Sequence, residues 1–332
     1  MFSEEALIEW PTGQLDDNVN LINILLKANT TVTSQALSKA AARPTSIFLK
    51  LLELASDNFT TDSEMFFEAV KSAAIAGEID NLDIILSQND DSPIVNRASL
   101  IRMLSKAMLL AAERGRVNIV YYLLDKYDLD ANYSESNLGH SLIIAVDYNN
   151  RVLAELLLEN GADVNKPAYN NKTALTSLCR RLSNDYLALL QLLIAHNASV
   201  NHQDDIGEFA LKSASTTGFI EVIEVLLSNG AEINLQDIYG YTSLMQAAKR
   251  GNHEAVKTLI ENGADTEIVD NRLGKTAFLI AAENAPFMSF YRTSKSGRMR
   301  ETLNELYEAG ADIFKQVKVF KVFNILKNPK VL

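Results

Sequence analysis

The stretch DIYGYTSLMQAAKRGNHEAVKTLIENGAD, residues 237–265, holds two short apolar helix patterns, each closed by a glycine. Asp237-Ile238-Tyr239-Gly240 fits a type I turn, with aspartate first and glycine fourth. Thr242 is placed to cap the next helix by accepting a backbone N–H. Leu244, Ala247 and Ala248 line one face at spacings of three and four, and the paired alanines let another helix approach closely. Gly251 is placed to end that helix in a left-handed conformation. Asn252 is placed to cap a second helix, Glu254 complements its dipole, and Val256, Leu259 and Ile260 form its apolar face. Asn262-Gly263 closes it. Helices of two or three turns are marginal alone, so neighbouring copies must supply the stability.

Those copies exist. The turn glycines Gly207, Gly240 and Gly274 stand 33 and 34 residues apart, and the closing positions Asn197, Gly230 and Gly263 stand 33 and 33 apart. The tails read GADVN at 161–165, NASVN at 197–201, GAEIN at 230–234 and GADTE at 263–267. A turn, helix, loop and helix at a period near 33 resembles the ankyrin-repeat family. The fullest copies are 239–265 and 206–234, followed by 138–165 and by 171–201, which carries about three extra residues between its helices. In 108–132, Tyr127 stands where the glycine would be. Residues 69–88 and 36–56 are eroded copies, with Ala41 and Ala74 again 33 apart.

The resemblance implies an all-α ankyrin-repeat solenoid of stacked helix-loop-helix units with β-hairpin-like turns. Roughly eight repeats are expected, the first ones degenerate. The organisation expected is an N-terminal helical cap at 1–35, degenerate repeats at 36–135 and well-matched repeats at 136–282. A last repeat at 283–313 contains an insertion at 285–299, and residues 314–332 form a capping helix. The family's usual TPLH never stands intact: the chain has TSLM from Thr242, TALT from Thr173, FALK from Phe209 and TAFL from Thr276. The proline that preorganises the first helical position is missing. So is the histidine that, in this family, bonds between repeats. An array weaker per repeat and prone to local opening is expected.

Composition sets the outer limits. By length alone 332 residues suggest two globular domains, a rule that a repeat array escapes because each unit packs only on its neighbours. The net charge of −11 disfavours nucleic acid as a partner. Residues 283–332 depart from this, with nine Lys/Arg against five Asp/Glu. The single cysteine, Cys179, rules out an internal disulfide and suggests a reducing, cytoplasmic setting. The start, MFSEEALIEWPTG, lacks the basic and apolar regions of a secretory signal. No run approaches the roughly 18 apolar residues of a membrane span.

Catalytic patterns are sparse. His140, His196, His202 and His253 do not share metal-ligand spacing with each other or with Cys179, and read as repeat-surface or inter-repeat residues. Cys179 holds the second-alanine position of its repeat, which suits a buried, inert thiol. There is no phosphate-binding glycine loop, and Asp90-Asp91 and Asp204-Asp205 read as solvated loop carboxylates. No cofactor, no metal and no enzymatic activity are expected.

Function in this architecture is expected on a surface, the concave face made by the turns and first helices. The residues there are Tyr169, Asn170, Lys172, Ile206, Glu208, Ile238, Tyr239, Tyr241, Arg272, Leu273 and Lys275, with Arg180, Arg181, Lys249 and Arg250 at the helix ends. Tyrosine and arginine are enriched among binding hot spots. The expectation is a monomeric, non-catalytic scaffold or adaptor for a partner protein, with an acidic segment matching the local cations. The alternative is a regulatory or catalytic protein whose active element is the 285–299 insert, carrying Phe287, Phe290, Tyr291 and Arg292, with the C-terminal region; residues 283–332 lack His and Cys, which disfavours it. The asparagine-rich, proline-poor composition is similar to that of ankyrin proteins secreted as effectors by intracellular bacteria, which would place the chain in a host cytosol. Asn165, Asn201 and Asn234 match the position hydroxylated in other ankyrin repeats by a cytosolic asparaginyl hydroxylase.

Overall fold

The structure, a computed structural model, describes residues 34–43, 45–59, 62–91, 94–135, 139–180, 186–285 and 294–312. The expected terminal caps lie outside these residues except for Ser34 and Gln35. The chain divides into two compact units, one ending at Ala162 and the other beginning at Asp163.

In the first unit the helices are α1 (Ser34–Ala41), α2 (Thr45–Phe59), α3 (Ser63–Ala76), α4 (Ile79–Asp91), α5 (Arg97–Glu113), α6 (Val117–Tyr127), α7 (Ser141–Asp147) and α8 (Arg151–Glu159). A short antiparallel hairpin, β1 (Ser134–Glu135) with β2 (Gly139–His140), precedes α7 and pairs Ser134 with His140. The first helices α1, α3, α5 and α7 pack in one row and the second helices α2, α4, α6 and α8 in another. The second unit repeats this plan. Its first helices are α9 (Ala174–Cys179), α11 (Ala210–Thr217), α13 (Ser243–Arg250) and α15 (Ala277–Asn284). Its second helices are α10 (Leu187–Ala195), α12 (Ile220–Ser228), α14 (His253–Glu261) and α16 (Ser294–Glu308). Eight helix pairs are therefore described, an all-α repeat solenoid with β structure confined to one small hairpin among the described residues.

Side-chain size sets the two rows. First helices bury alanines where they meet, among them Ala69 and Ala73 on α3, Ala107 and Ala111 on α5, and Ala247 and Ala248 on α13. Second helices bury branched residues, such as Val222, Ile223 and Leu226 on α12 and Val256 and Leu259 on α14. α2, with 15 residues, and α5, with 17, exceed the two or three turns expected.

The ends of α13 follow the sequence reading. Thr242 Oγ1 accepts from Met245 N at 3.2 Å, and Gly251 ends the helix at φ 71°. Asn252 does not. It begins α14, but its side chain makes no bond there and instead donates to Ser215 O and Thr216 O of the preceding repeat, both at 3.0 Å. Asn81 does the same to Ala41 O and Arg43 O, and Arg116 Nε to Ile75 O. The last carbonyls of a helix have no partner inside it, so a side chain from the next repeat that reaches them closes the gap. At the end of α6 the left-handed residue is Asp128, at φ 49°, one position beyond Tyr127. Within the expected insert, residues 294–299 are the start of α16, and Met299 is buried beside Gly251. Among the described residues no helix is long and apolar enough to cross a membrane.

Replacement of the motif proline leaves a mark at Ser243. This residue is fully buried at the first position of α13, and its hydroxyl has no protein partner. Thr242 before it is extended, at φ −88° and ψ 169°, which suits a residue preceding proline. Ser243→Pro is therefore expected to stabilise by about 1 kcal/mol, by removing an unpartnered hydroxyl and restricting the unfolded chain. Calorimetry should show the midpoint rising by about 2–4 °C.

Candidate functional site

The second unit builds its hairpins on buried aspartates. Asp204 Oδ1 accepts from Ile206 N and Glu208 N at 3.0 and 2.8 Å. Asp237 Oδ1 accepts from Tyr239 N and Tyr241 N at 2.9 and 2.8 Å. Asp270 Oδ1 accepts from Arg272 N, Leu273 N and Gly274 N. Backbone bonds Gly240 N to Asp237 O and Asp237 N to Tyr241 O complete the central hairpin. The first hairpin has no aspartate: Ala168 N donates to Lys172 O at 2.8 Å, and Asn170 and Asn171 take left-handed φ values of 60° and 57°. Asparagine tolerates that region better than most residues, which explains its use there.

Neighbouring hairpins are tied into a ladder. Asn171 Nδ2 donates to Gln203 O, Gln203 Nε2 to Gln236 O and Gln236 Nε2 to Val269 O, at 3.1, 2.9 and 3.1 Å. Backbone bonds join the tips directly, from Asp205 N to Asn170 O at 3.1 Å and from Asn271 N to Tyr239 O at 2.9 Å. His202 Nε2 adds a contact 2.7 Å from Asn171 O. The apolar residues at the tips consequently stand side by side yet face outward. Tyr169 is 77% exposed, Ile206 50%, Tyr239 49% and Leu273 63%, and Ile238 is exposed as well. Among the sequence-predicted binding residues, Tyr169, Asn170, Ile206, Tyr239 and Arg272 all fall on this ladder.

The charges sort themselves by sign. Lys212 occupies the position of the motif histidine and is 7% exposed. Its Nζ lies 2.6 Å from Glu208 Oε2 and 2.7 Å from Asp237 Oδ2 in the next hairpin, while Ser213 Oγ donates to Glu208 Oε1. Burial alone pushes this ammonium down; the hydrogen bonds to Asp237 and Glu208, and their charges, outweigh it and leave it above the ordinary lysine value. Lys275 pairs with Glu283 at 2.5 Å. So Glu208 and Glu283 are both neutralised internally, whereas Lys172, Arg180, Arg250 and Arg272 make no ion pair among the described residues. Lys249 sits over the Tyr241 ring, 5.2 Å from its centroid. Partial burial and the nearby Asp270 raise the Tyr241 hydroxyl, against the opposing charges of Lys275 and Arg272. Tyr241, Lys249, Arg272 and Lys275 thus form one neighbourhood. Arg181 and the insert residues Phe287, Phe290, Tyr291 and Arg292 lie outside the described residues.

The asparagines that end the repeat tails have structural partners. Asn165 Nδ2 donates to Asn197 O and its Oδ1 accepts from Ser199 N. Asn201 bridges to Gly230 O and Glu232 N in the same way, and Asn234 Oδ1 accepts from Asp265 N. These amides tie the tail of each repeat to the next, and their recurrence near a spacing of 33 was the readable sign. Gln203 and Gln236, 33 apart and each preceding a turn aspartate, carried the same sign for the hairpin ladder. Cys179 is fully buried, and burial pushes its thiol up to about 12, which suits an inert group. His140 is buried, and His253 Nδ1 lies 3.4 Å from Glu301. Among the described residues no cluster of His, Cys, Asp and Glu could hold a metal ion.

A family model of ankyrin repeats matches residues 70–168, 142–237 and 230–316. An ankyrin repeat protein of fowlpox virus (strain NVSL) is 31% identical over 100 residues, 30% of this chain and 16% of its own length. A second one from the same virus is 33% identical over 110 residues, 32% of this chain and 31% of its own. The mouse B-cell lymphoma 3 protein homolog is 34% identical over 120 residues, 34% of this chain and 26% of its own. The chain thus spans less than a third of the length of each of these curated relatives. With four helix pairs stacked in each unit, turn-aspartate hairpins between successive pairs of the second unit, and a family match covering residues 70–316, the chain belongs to the ankyrin-repeat family.

Proposed function

We propose that the chain is a non-catalytic protein-interaction scaffold, and that the hairpins and first helices of its second unit dock an acidic segment of a partner protein. Ankyrin repeats are protein-interaction modules, and the family assignment supports binding as the general role. The observation that carries the acidic partner is the sorting of charge. On a chain of net charge −11, this surface ties Glu208 to Lys212 and Glu283 to Lys275, and leaves Arg180, Arg250 and Arg272 exposed without an ion pair among the described residues. Side chains held on bonded hairpins lose little freedom on binding, which favours affinity. A reducing, cytoplasmic setting belongs to the same reading and is supported by the lone buried cysteine.

Selection of random peptides on the immobilised chain tests this reading. Enriched sequences should be acidic, and their binding should weaken with added salt. Arg250→Glu combined with Arg272→Glu should reduce affinity about tenfold or more, roughly 1.4 kcal/mol, with an unchanged melting midpoint because both side chains are exposed. Enrichment of neutral or basic peptides to the same extent would remove the case for an acidic partner.

A further inference from the structure

We propose that the hairpin tips between residues 168 and 275 take an acidic peptide in the polyproline II conformation, carrying an apolar residue at every third position. This rests on the reading that the same face docks an acidic segment, and it adds the spacing that such a segment must have. Each of the four tips exposes at least one apolar side chain: Tyr169, Ile206, Ile238 with Tyr239, and Leu273. Backbone bonds between tips, Asp205 N to Asn170 O and Asn271 N to Tyr239 O, lock these side chains at the pitch of the helix stack. Between the second and third tips, Ile238 N lies only 2.6 Å from where a Gly207 side chain would begin, so these backbones also touch.

That pitch selects the conformation of the ligand. Packed helices lie about 8–10 Å apart. A polyproline II chain advances about 3.1 Å per residue and turns once in three, so every third side chain faces the same side, whereas a β-strand points residues three apart to opposite faces. Three polyproline II residues then span about 9 Å, one repeat. In that conformation apolar groups at every second position point to all three sides of the chain, and only one in three of them faces the tips. A helical peptide rises about 5.4 Å per turn, so it would need two turns per repeat and apolar groups about seven residues apart, a spacing distinct from every third position.

The intervening positions of the peptide meet charge. Lys172 and Arg272 flank the outer tips, Lys249 sits over Tyr241 beside the third, and Arg250 follows it at the end of α13. One tip departs from the pattern. Asp205, beside Ile206, is exposed, while Glu208 is tied to Lys212. The peptide residue facing Asp205 is therefore expected to be neutral or basic, and the acidic preference is expected to be strongest toward the third and fourth tips.

The test uses fluorescence anisotropy with the full chain and three labelled synthetic peptides. One has four Leu-Asp-Glu triplets. The second has the same composition with leucines at alternate positions, and the third has Leu-Lys-Lys triplets. The acidic triplet peptide is expected to bind at least tenfold tighter than either of the others. Tyr239→Ala with Leu273→Ala should reduce its affinity about tenfold and leave the melting midpoint in place. Equal binding of the two acidic peptides overturns the spacing but leaves the acidic-partner reading standing. Equal binding of the basic and acidic triplet peptides overturns both. Absence of binding by the acidic triplet peptide, or unchanged affinity in the double variant, overturns the proposal.

Discussion

Lys212→Ala is expected to lower the unfolding free energy by about 3–5 kcal/mol, because removing one member of a buried ion pair leaves the other charge uncompensated. Here two carboxylates would be left. Glu208 and Asp237 both sit within 2.7 Å of the Lys212 ammonium, and the Lys212 side chain is almost fully buried. Asp237 also organises the next hairpin through its bonds to Tyr239 N and Tyr241 N, so the loss should spread to the central tip. Urea denaturation at neutral pH measures the total. Hydrogen exchange at residues 237–241 should report the local opening. The pH dependence has a definite sign. The Lys212 ammonium is raised in the fold, so its contribution is fully present below the unfolded lysine value of about 10.4 and lost as pH rises through the folded value. Parent and variant should therefore differ most at neutral pH and converge in strong alkali. Equal urea midpoints at neutral pH would show that the pair does not hold the repeats together.

This ion pair marks the boundary of what the sequence alone could say. The period of 33, the turn glycines and the paired alanines were enough to place the helix pairs, because each is a local property repeated along the chain. Thr242 as a cap and Gly251 in a left-handed turn follow from the same local rules. The contacts between repeats were harder to read. Absence of the motif histidine led to an expectation of weak coupling. Lys212 stands in that position and reaches Asp237, 25 residues further on, in the next hairpin. Asn252 was expected to cap its own helix, and it caps the carbonyls of the preceding repeat instead. Each case depends on the register of one repeat against the next, which composition and spacing do not specify.

The candidate site divides in the same way. Equivalent positions recur in each hairpin, so the exposed tip residues Tyr169, Ile206 and Tyr239 could be picked from the sequence. Which charges are available could not. Lys275 and Arg272 look alike on paper, but Lys275 is paired with Glu283 and Arg272 is unpaired among the described residues. The expectation that cations gather here therefore needed the fold to separate the occupied from the available ones.

The hairpin ladder can be broken without touching any of its apolar side chains, and Gly240→Ala is expected to do so. Gly240 has φ +80°, and a Cβ there would meet Asn271 N at 2.5 Å. Gly263 has φ +91°, but a Cβ there meets nothing within 4 Å. Both substitutions force a non-glycine residue into the left-handed region, at a cost of about 1–2 kcal/mol. Only Gly240→Ala adds a collision with backbone that cannot rotate away, worth about 1–3 kcal/mol more by analogy with overpacked cores. Asn271 N would have to move, and it is the atom that donates to Tyr239 O and joins the third and fourth tips. Gly240→Ala should therefore unfold at a lower urea midpoint than Gly263→Ala. It should also weaken binding of the acidic triplet peptide, although Tyr239 and Leu273 are intact, because their spacing is no longer fixed. Gly263→Ala should bind that peptide as the parent does. If the two variants share one midpoint, the close approach at Gly240 does not constrain the repeats. If Gly240→Ala is destabilised yet binds normally, the tips act singly and their spacing does not govern recognition.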